Sequence, residues 1–525
     1  MVHYQKLFIL TVLASATLAI TGCSSSDDDS ATTPGEGTST AGDGSGSSPD
    51  TGSGATTATT PFAQPTSYRG FPVTLKDAEG ETSVSYKGQM ARHVLRESAK
   101  ETMKSPTTSS YAVVGEVDSY LKNENNVIDD APIRAPVSKD EFIFKETVNN
   151  ELGTGKNLYD KLYNSEEKGD PIPGIADADK AKTLGVPGGK TSQEVVDLWV
   201  GHFGADHAGH LDGEADHHDL TNGYDYRQLL PKYLMGAVFY NQSVDHYLDE
   251  NLEPGTKDND QPYKDGKHYT GKEHSWDEGF GWFGAAAHYG ELSAEENYEI
   301  HKMGKSKTAA EALALADKDG DGKVSLYTEY NSGPAYYAAS FDKDGKSTYG
   351  KNMMDAWLEG RTIITNAVGE DGYARKLNTE ERDQLKALGS TIQKNWETVF
   401  AEAVFKYAGE SFEEIENLES GASSDPKTYY SVWSEMKGFM LALQYGGAKS
   451  KMDKTHFEEI DNLIGFGPVQ QNGKQVTGIQ AGENAESFTL GAGNTLADYK
   501  ANMVEVQQKI DALYELKAKQ HDHRP

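Results

Sequence analysis

The sequence contains a single cysteine, Cys23, among its 525 residues, so no disulfide can form within the chain. It is also poor in positive charge, because 50 Lys and Arg stand against 82 Asp and Glu and give a formal net charge of −32. This deficit argues against a nucleic-acid partner, since phosphate binding requires concentrated Lys and Arg. Long apolar runs are scarce and the mean hydropathy is −0.67, which excludes a protein with several membrane-spanning helices.

Several catalytic motifs are also missing. The chain has no Gly-x-Ser-x-Gly nucleophile elbow and no phosphate-binding P-loop. It also lacks His-Glu-x-x-His, the arrangement in which zinc peptidases hold a general-base Glu between two His ligands. These absences exclude the commonest hydrolase and nucleotide-binding signatures.

Residues 1–22 have the form of a secretory signal peptide. Their apolar run, Leu7 to Ile20, is too short to cross a bilayer as a stable helix. It ends in Ile-Thr-Gly-Cys, which resembles a bacterial lipobox, so we predict that Cys23 becomes the lipidated N-terminus. An ordinary signal peptide with an incidental thiol is the alternative. Because Ser24 rather than Asp follows, the lipoprotein sorting rule implies the bacterial outer membrane, on its periplasmic face or at the cell surface.

The remaining chain divides into a tether and a helical domain. Residues 23–60 carry no large apolar side chain and cannot offset chain entropy by burial, so we predict a disordered Ser/Thr/Gly/Asp tether. Residues 61–525 are predicted to form a single large all-α domain with long irregular loops, because apolar residues recur there at helical spacing. The clearest helical segments are 85–105, 224–248, 382–408, 429–445 and 496–519.

Two parts of this domain resemble each other. In each part an Ala-Val-Phe helix is followed, after a loop, by a Trp-x-Glu helix. A chance likeness between aromatic-rich helices is the alternative to a duplication. The repeated residues are Ala237-Val238-Phe239 with Trp276-Asp277-Glu278, and Ala403-Val404-Phe405 with Trp433-Ser434-Glu435.

We therefore predict a duplicated helical bundle. Its halves span about 84–300 and 346–520 and are joined by an EF-hand-like segment, 307–340. Inward-facing Glu and His on paired helices are how bundles build metal sites. Glu278 and Glu435 are accordingly expected to face a common centre.

The strongest motif is an acidic loop that is typical of an EF-hand. Three aspartates at alternate positions can surround a hard cation, and Gly322 permits the sharp turn. The closing acidic residue is Glu329, one position later than in an EF-hand, which has it where Thr328 stands here. We predict a structural Ca²⁺, and the alternative is a solvated acidic turn. The predicted calcium ligands are Asp317, Asp319, Asp321, Lys323 through its backbone carbonyl, Ser325 and Glu329.

A partial copy of this loop follows at Asp342-Lys-Asp344-Gly345. It has only two of the aspartates, so we predict a plain turn there.

Histidines are concentrated in one region. Of 15 histidines, ten lie between residues 202 and 301, and five of these alternate with Asp and Glu in 202–218. Imidazole together with carboxylate suits Fe, Cu or Zn, so we predict an adaptable transition-metal binder. A hydrophilic loop with incidental histidines is the alternative. The candidate ligands are His202, His207, His210, His217 and His218.

A second candidate site lies on the helix that carries the first Trp-x-Glu. His274 and Glu278 are four residues apart and share one helix face, with Asp277 beside them. Together with Glu435 they are the candidate core ligands of a transition metal. A buried His–Glu hydrogen bond that joins two helices is the alternative.

These motifs together resemble a bacterial lipoprotein family with an EF-hand-like loop and a domain of unknown function of the 4856 type, related to the imelysin-like proteins. The resemblance covers about residues 68–520 and implies an all-helical, duplicated bundle at the cell envelope. Imelysin-like proteins are linked to iron uptake, and some were named as metallopeptidases. The resemblance rests on 86–92, 236–240, 274–281, 317–331 and 433–439.

One departure from the imelysin-like pattern weakens the peptidase reading. The imelysin hallmark is Gly-x-His-x-x-Glu, whereas Gly271 here stands three residues before His274 and Glu278 stands four after it. His274, Asp277 and Glu278 are therefore carried over only as candidate ligands.

The leading hypothesis is a non-enzymatic metal-binding lipoprotein of the envelope. It would acquire iron or another transition metal, with a membrane anchor and an uptake receptor or other envelope protein as partner. The second hypothesis is a metallohydrolase or peptidase of imelysin-like type, with Glu278 or Asp277 as general base beside a metal-bound water. The third is a calcium-braced adhesion or interaction module.

Overall fold

The computed structural model describes residues 61–108, 110–163, 182–209, 217–481 and 486–525. The predicted signal peptide, the lipidation of Cys23, the tether and the candidate ligand His210 lie outside these residues. The described residues form thirteen α-helices and two antiparallel sheets of two strands each, which confirms the prediction of a mostly helical, all-α chain.

The elements alternate with long connections along the chain. The helices are α1 Lys87–Lys104, α2 Val113–Lys122, α3 Ser192–Gly209, α4 Tyr226–Leu234, α5 Gly271–Phe283, α6 Ala294–Lys302, α7 Ala309–Ala316, α8 Gly333–Asp342, α9 Tyr349–Asn366, α10 Thr379–Ser420, α11 Lys427–Ala442, α12 Lys454–Ile464 and α13 Leu496–Tyr514. The strands are β1 His218–Asp219, β2 Tyr224–Asp225, β3 Lys474–Gln480 and β4 Ser487–Ala492.

Local sequence sets where several helices begin. Thr270, Ser293, Thr308 and Asn378 each cap a helix, because the side chain accepts a hydrogen bond from the backbone of a Glu three residues later. That Glu reaches back to the cap residue, so two otherwise unpaired N–H groups are satisfied at each start. The longest helix, α10, has 42 residues and ends at Gly421 with a φ of 74°.

Helix α4 continues into two π-helical segments, Met235–Tyr240 and Gln242–Tyr247. The first is wholly buried, and Gly236 there allows a close approach to α11. A Cβ atom at this position would lie 2.3 Å from the Cα atom of Ala442. Irregular helices of this kind often occur at functional sites.

The core is organised around α10. This helix packs against α9, α11 and α13, while α11 also packs on α4, and α5 packs on α9. All six tryptophans lie in the main hydrophobic cluster, and a smaller cluster surrounds α7 and the acidic loop. Among the described helices, none combines the length and the apolar character that crossing a bilayer requires.

Candidate functional site

The acidic loop between α7 and α8 brings the three predicted aspartates together. One carboxylate oxygen from each of Asp317, Asp319 and Asp321 lies within 4.8 Å of the other two. Asp317 organises the turn, because its oxygens accept hydrogen bonds from the backbone N–H groups of Gly320, Asp321 and Gly322 at 2.8 to 3.1 Å. The loop therefore has the shape that an oxygen-liganded cation needs.

Glu329 closes the loop from its far end. One carboxylate oxygen accepts hydrogen bonds from the backbone of Lys318 and Asp319, and the other accepts one from Ser325. Burial raises the pKa of Glu329, while these N–H groups oppose the shift. The carboxylate is thus turned into the loop although it stands one position late in the sequence.

Contacts with residues 144–146 fix the acidic loop to the neighbouring part of the chain. Val324 forms a parallel bridge with Phe144, and the Ser325 hydroxyl donates to Glu146 at 2.9 Å. The side chain of Lys323 lies exposed, so only its backbone faces the loop. Lys145 contacts Asp321 at 2.6 Å from outside, where a cation would also be attracted.

The partial copy of the loop, at 342–345, makes hydrogen bonds to the start of the next helix. Asp342 accepts hydrogen bonds from the Ser347 hydroxyl and from the backbone of Tyr349 and Gly350, at 2.7 to 2.8 Å. It therefore fixes the start of α9, as a plain turn requires.

Two of the histidines in the predicted metal-binding segment meet a buried carboxylate. Strands β1 and β2 pair His218 with Asp225, and His217 lies beside them. The Nε2 atoms of His217 and His218 lie 3.8 and 3.6 Å from Oδ2 of Asp225, and the two ring centroids are 4.1 Å apart. Ligands about 2.1 Å from a tetrahedral metal are separated by about 3.4 Å, so these distances approach those of a metal site.

Asp225 is held in place yet incompletely satisfied. It is fully buried, and its Oδ2 accepts hydrogen bonds from the Ser431 hydroxyl at 2.6 Å and from Arg227 at 3.3 Å. Its backbone N–H donates to Ser434 at 2.9 Å. Its Oδ1 is buried without a hydrogen-bond partner in the described part of the chain. A buried carboxylate oxygen without a partner is costly unless something pairs with it.

The other histidines of this segment lie apart from this group. His202, on α3, stacks on Phe488 with ring centroids 4.0 Å apart, and burial lowers its pKa. His207, also on α3, has its Nε2 2.6 Å from the carbonyl of Thr108. The structure thus brings together two of the four described candidate ligands.

The His274–Glu278 pair lies on one face of α5, as predicted. His274 Nε2 is 3.5 Å from Glu278 Oε1, and both side chains are buried. Tyr263 and Tyr269 pack on the imidazole, with ring centroids at 4.2 and 4.8 Å. Glu278 accepts a hydrogen bond from Gln89 at 2.8 Å, whereas neither nitrogen of His274 makes one within the described residues.

Asp277 belongs to a buried ion-pair network instead. It contacts Nε of Arg361 at 2.9 Å, the hydroxyl of Tyr68 at 3.1 Å and the backbone N–H of Ser85 at 3.0 Å. Arg361 also contacts Glu273. Burial raises the pKa of Asp277 to about 6, although Arg361 opposes the shift. Its oxygens are therefore engaged in holding α5 to α9 and to the N-terminal segment.

Glu435 has different partners from Glu278. It lies 2.6 Å from the ammonium group of Lys232 on α4. Burial lowers the pKa of Lys232 to about 7, and Glu435 opposes this shift. The described contacts of Glu435 do not join it to His274 or Glu278, so the structure does not assemble these three residues into one site.

Asp225 was not predicted as a partner of the histidines. Nothing in its spacing identifies a ligand, because it lies in an aromatic segment that opens α4. The usable signal was the dipeptide Asn222-Gly223, which is typical of a tight hairpin and folds Asp225 back onto His218.

Comparison with known proteins gives one family. The model of the family described as Domain of unknown function (DUF4856) matches residues 76–317, a range that contains both histidine sites and Asp317. No curated protein and no solved structure matches the chain significantly. Over residues 76–317, a little under half of its length, the chain is therefore similar to the family described as Domain of unknown function (DUF4856).

Proposed function

We propose that the protein is a metal-binding lipoprotein of the cell envelope that takes part in the acquisition of iron or another transition metal. The observation that carries this proposal is the group formed by His217, His218 and Asp225, whose ligand atoms all lie within 4.8 Å of one another. Two imidazoles and one carboxylate are a ligand set that Fe(II) and Zn(II) accept, with further positions left for a chelate or water.

The charge balance of this group favours a cation. The acid is fully buried, and Arg227 compensates it through Oδ2 only. An ion bound to both imidazoles would reach the carboxylate, while Ser431 and Arg227 would keep it oriented. Because a histidine must be neutral to bind a metal, metal binding should release protons and weaken as the solution is acidified.

Calcium is proposed as a brace for the fold. The acidic loop offers three clustered carboxylates, and Glu329 accepts hydrogen bonds from the loop backbone. Val324, which belongs to the same loop, lies in the smaller hydrophobic cluster. A bound ion would therefore stabilise the packing of the loop against that cluster.

We also infer that the two Trp-x-Glu helices descend from a duplication. Trp276 on α5 and Trp433 on α11 are both buried, and each indole N–H donates a hydrogen bond to a neighbouring helix. Glu278 and Glu435 have nevertheless acquired different partners, so we assign the transition metal to neither of them.

The metallohydrolase alternative would use His274 and Glu278. Within the described residues, no further His, Cys or carboxylate groups with this pair to complete a set of three ligands. The non-enzymatic role is therefore the one that we propose.

The proposal is tested by elemental analysis of the mature chain, purified without an affinity tag and loaded with Fe(II) or Zn(II). We expect about one metal ion per chain in the wild type and loss of that ion in the His217→Ala/His218→Ala variant. The matched control is His246→Ala/His456→Ala, which removes two other partly exposed histidines. Equal metal content in the two double variants, or no metal in the wild type, would overturn the proposal.

A further inference from the structure

A second candidate site lies beside the loop that precedes α5. A cleft of about 660 Å³ opens between the N-terminal segment, the first turn of α1, the loop before α5 and the end of the acidic loop. This volume is that of a small-molecule site. The side chains that give the cleft its character are Arg69, Lys87, Lys267, His268, Tyr269 and Tyr327.

The charge of the cleft is opposite to that of the chain. Three cationic side chains line it against one acid, Asp265, whereas the whole chain carries a net charge of −32. Lys87 is also the first residue of α1, and the cap residue Tyr86 makes no side-chain hydrogen bond to the helix start. The N–H groups at this end add partial positive charge to that of the lysines.

The wall nearest the acidic loop is built by Tyr327. Its hydroxyl accepts a hydrogen bond from Nη1 of Arg69 at 3.1 Å, and its ring lies 4.8 Å from that of Tyr86. Its backbone N–H donates to the hydroxyl of Ser325, a predicted calcium ligand, at 3.1 Å. The position of Tyr327 in the cleft wall therefore depends on whether the acidic loop is well ordered.

The opposite side of the cleft rests on α5. Tyr269 packs on the buried ring of His274, and the backbone of Ser85 donates to Asp277. These contacts fix the cleft to the buried network described above, so its shape does not depend on surface loops alone.

We propose that this cleft binds a small organic dianion, a dicarboxylate or a phosphate monoester, and that calcium in the acidic loop strengthens this binding by ordering Tyr327. Two negative charges match the excess of three cations over Asp265. The polar side chains around the cations, among them Thr82, Ser85 and Asn150, suit the hydroxyl and carboxyl groups of such a ligand. Only the calcium dependence rests on the proposed function, since the binding itself follows from the cleft.

The test is isothermal titration of the mature chain with succinate, with glucose 6-phosphate and with glucose as the uncharged control. We expect one or both anions to bind and glucose not to bind. In Lys87→Met/Lys267→Met, affinity should fall about tenfold or more, because each lysine supplies a charge-assisted contact. The control Lys351→Met/Lys454→Met removes two exposed lysines elsewhere and should bind as the wild type does.

The calcium step is measured in the same titrations with Ca²⁺ or with a chelator. We expect affinity to fall about fivefold or more without Ca²⁺ and in Asp319→Asn/Asp321→Asn. Equal affinity under both conditions would overturn the coupling and leave the cleft assignment standing. Wild-type affinity in Lys87→Met/Lys267→Met, or no binding of either anion to the wild type, would overturn the cleft assignment. Neither result bears on the His217–His218–Asp225 metal site.

Discussion

His93 on α1 is fully buried, and its ring packs against Phe239 at a centroid distance of 4.2 Å. Its Nε2 is 3.1 Å from the carbonyl of Gly281, which makes it a hydrogen-bond donor. Burial, with the charge of Arg96, lowers the pKa of His93 to about 3. An unfolded histidine titrates near 6.5, so between these values the unfolded chain binds a proton that the folded chain does not. The free energy of unfolding is therefore not reduced by His93 above pH 6.5. It decreases as the pH falls from 6.5 toward 3, because protonation of His93 favours the unfolded chain.

We predict that His93→Gln makes the protein less sensitive to acid. Gln retains a donor near the position of Nε2 but does not titrate. Below pH 6.5 its free energy of unfolding should fall less steeply than that of the wild type, by up to about 1.4 kcal/mol per pH unit. Urea unfolding at pH 7.0 and pH 5.5 measures the two slopes. The control is His456→Gln at an exposed position, whose slope should differ from that of the wild type less than the slope of His93→Gln does. Identical slopes for wild type and His93→Gln would contradict the prediction.

At the scale of elements, the C-terminal segment is bound to α10 by one buried carboxylate. Glu402 is fully buried and accepts hydrogen bonds from three consecutive backbone N–H groups and from the hydroxyl of Tyr349. The three N–H groups belong to Lys517, Ala518 and Lys519 and lie 2.7 to 2.9 Å from its oxygens. No sequence pattern predicts that Glu402 binds the C-terminal segment, since it lies in an otherwise apolar stretch of α10.

We predict that Glu402→Gln lowers the free energy of unfolding by about 3 kcal/mol. The substitution replaces hydrogen bonds to a carboxylate by weaker ones, and it directs the amide NH₂ group of Gln toward backbone N–H groups that are themselves donors. The change should first appear as faster amide hydrogen exchange at 517–519. Glu416→Gln, on the exposed side of the same helix, is the control and should change neither quantity. Unchanged exchange at 517–519 would show that Glu402 does not hold this segment.

The acidic loop gives a second prediction at this scale. If the loop binds Ca²⁺ as proposed, the ion at a concentration of 100 times its Kd should stabilise the fold by about 2.7 kcal/mol. Thermal unfolding with Ca²⁺ or with a chelator should show a shift in Tm for the wild type and none for Asp319→Asn/Asp321→Asn. Asp344→Asn in the partial copy should respond as the wild type does. An equal Tm with and without Ca²⁺ in the wild type would exclude a structural ion in the loop.

Helical periodicity predicted five of the thirteen described α-helices, namely α1, α4, α10, α11 and α13, but not their irregularities. The segments 429–445 and 496–519 correspond to α11 and α13, because their apolar spacing is the spacing of a buried helix face. Helix α10 extends well past the predicted 408, to Ser420, and buries Ile415 and Leu418 in its last turns at a helical spacing that the prediction did not use. The π-helical segments depend on Gly236 meeting α11, some 200 residues away, which local sequence cannot reveal.

The sites show the same limit. Composition identified His217 and His218, but their carboxylate partner depends on a hairpin and not on ligand spacing. The helix spacing of His274 and Glu278 predicted their closeness correctly, because that geometry is local. The meeting of Glu278 with Glu435 required tertiary packing, and in the structure each glutamate has a different partner.

At the scale of the whole molecule, the predicted membrane attachment rests on a sequence feature that lies outside the described residues. No described helix can cross a bilayer, and the acidic chain would be repelled by anionic lipid headgroups. Acyl chains on a terminal cysteine would supply the missing affinity, since each buried CH₂ adds about 0.8 kcal/mol. The lipobox-like sequence before Cys23 is the only feature that we assign to this task.

We therefore predict that the full chain, expressed in a bacterium with lipoprotein processing, is recovered with the outer membrane and incorporates labelled palmitate. Cys23→Ser should abolish the labelling and move the processed chain to the soluble fraction, whereas Ser25→Ala should change neither. Ser24→Asp should keep the label but redirect the chain away from the outer membrane, because the sorting rule reads the residue after the cysteine. Membrane recovery of an unlabelled Cys23→Ser chain that has lost residues 1–22 would mean that the folded domain binds the envelope by itself. In that case the anchor and the folded domain could no longer be treated as separate parts in attaching the protein to the envelope.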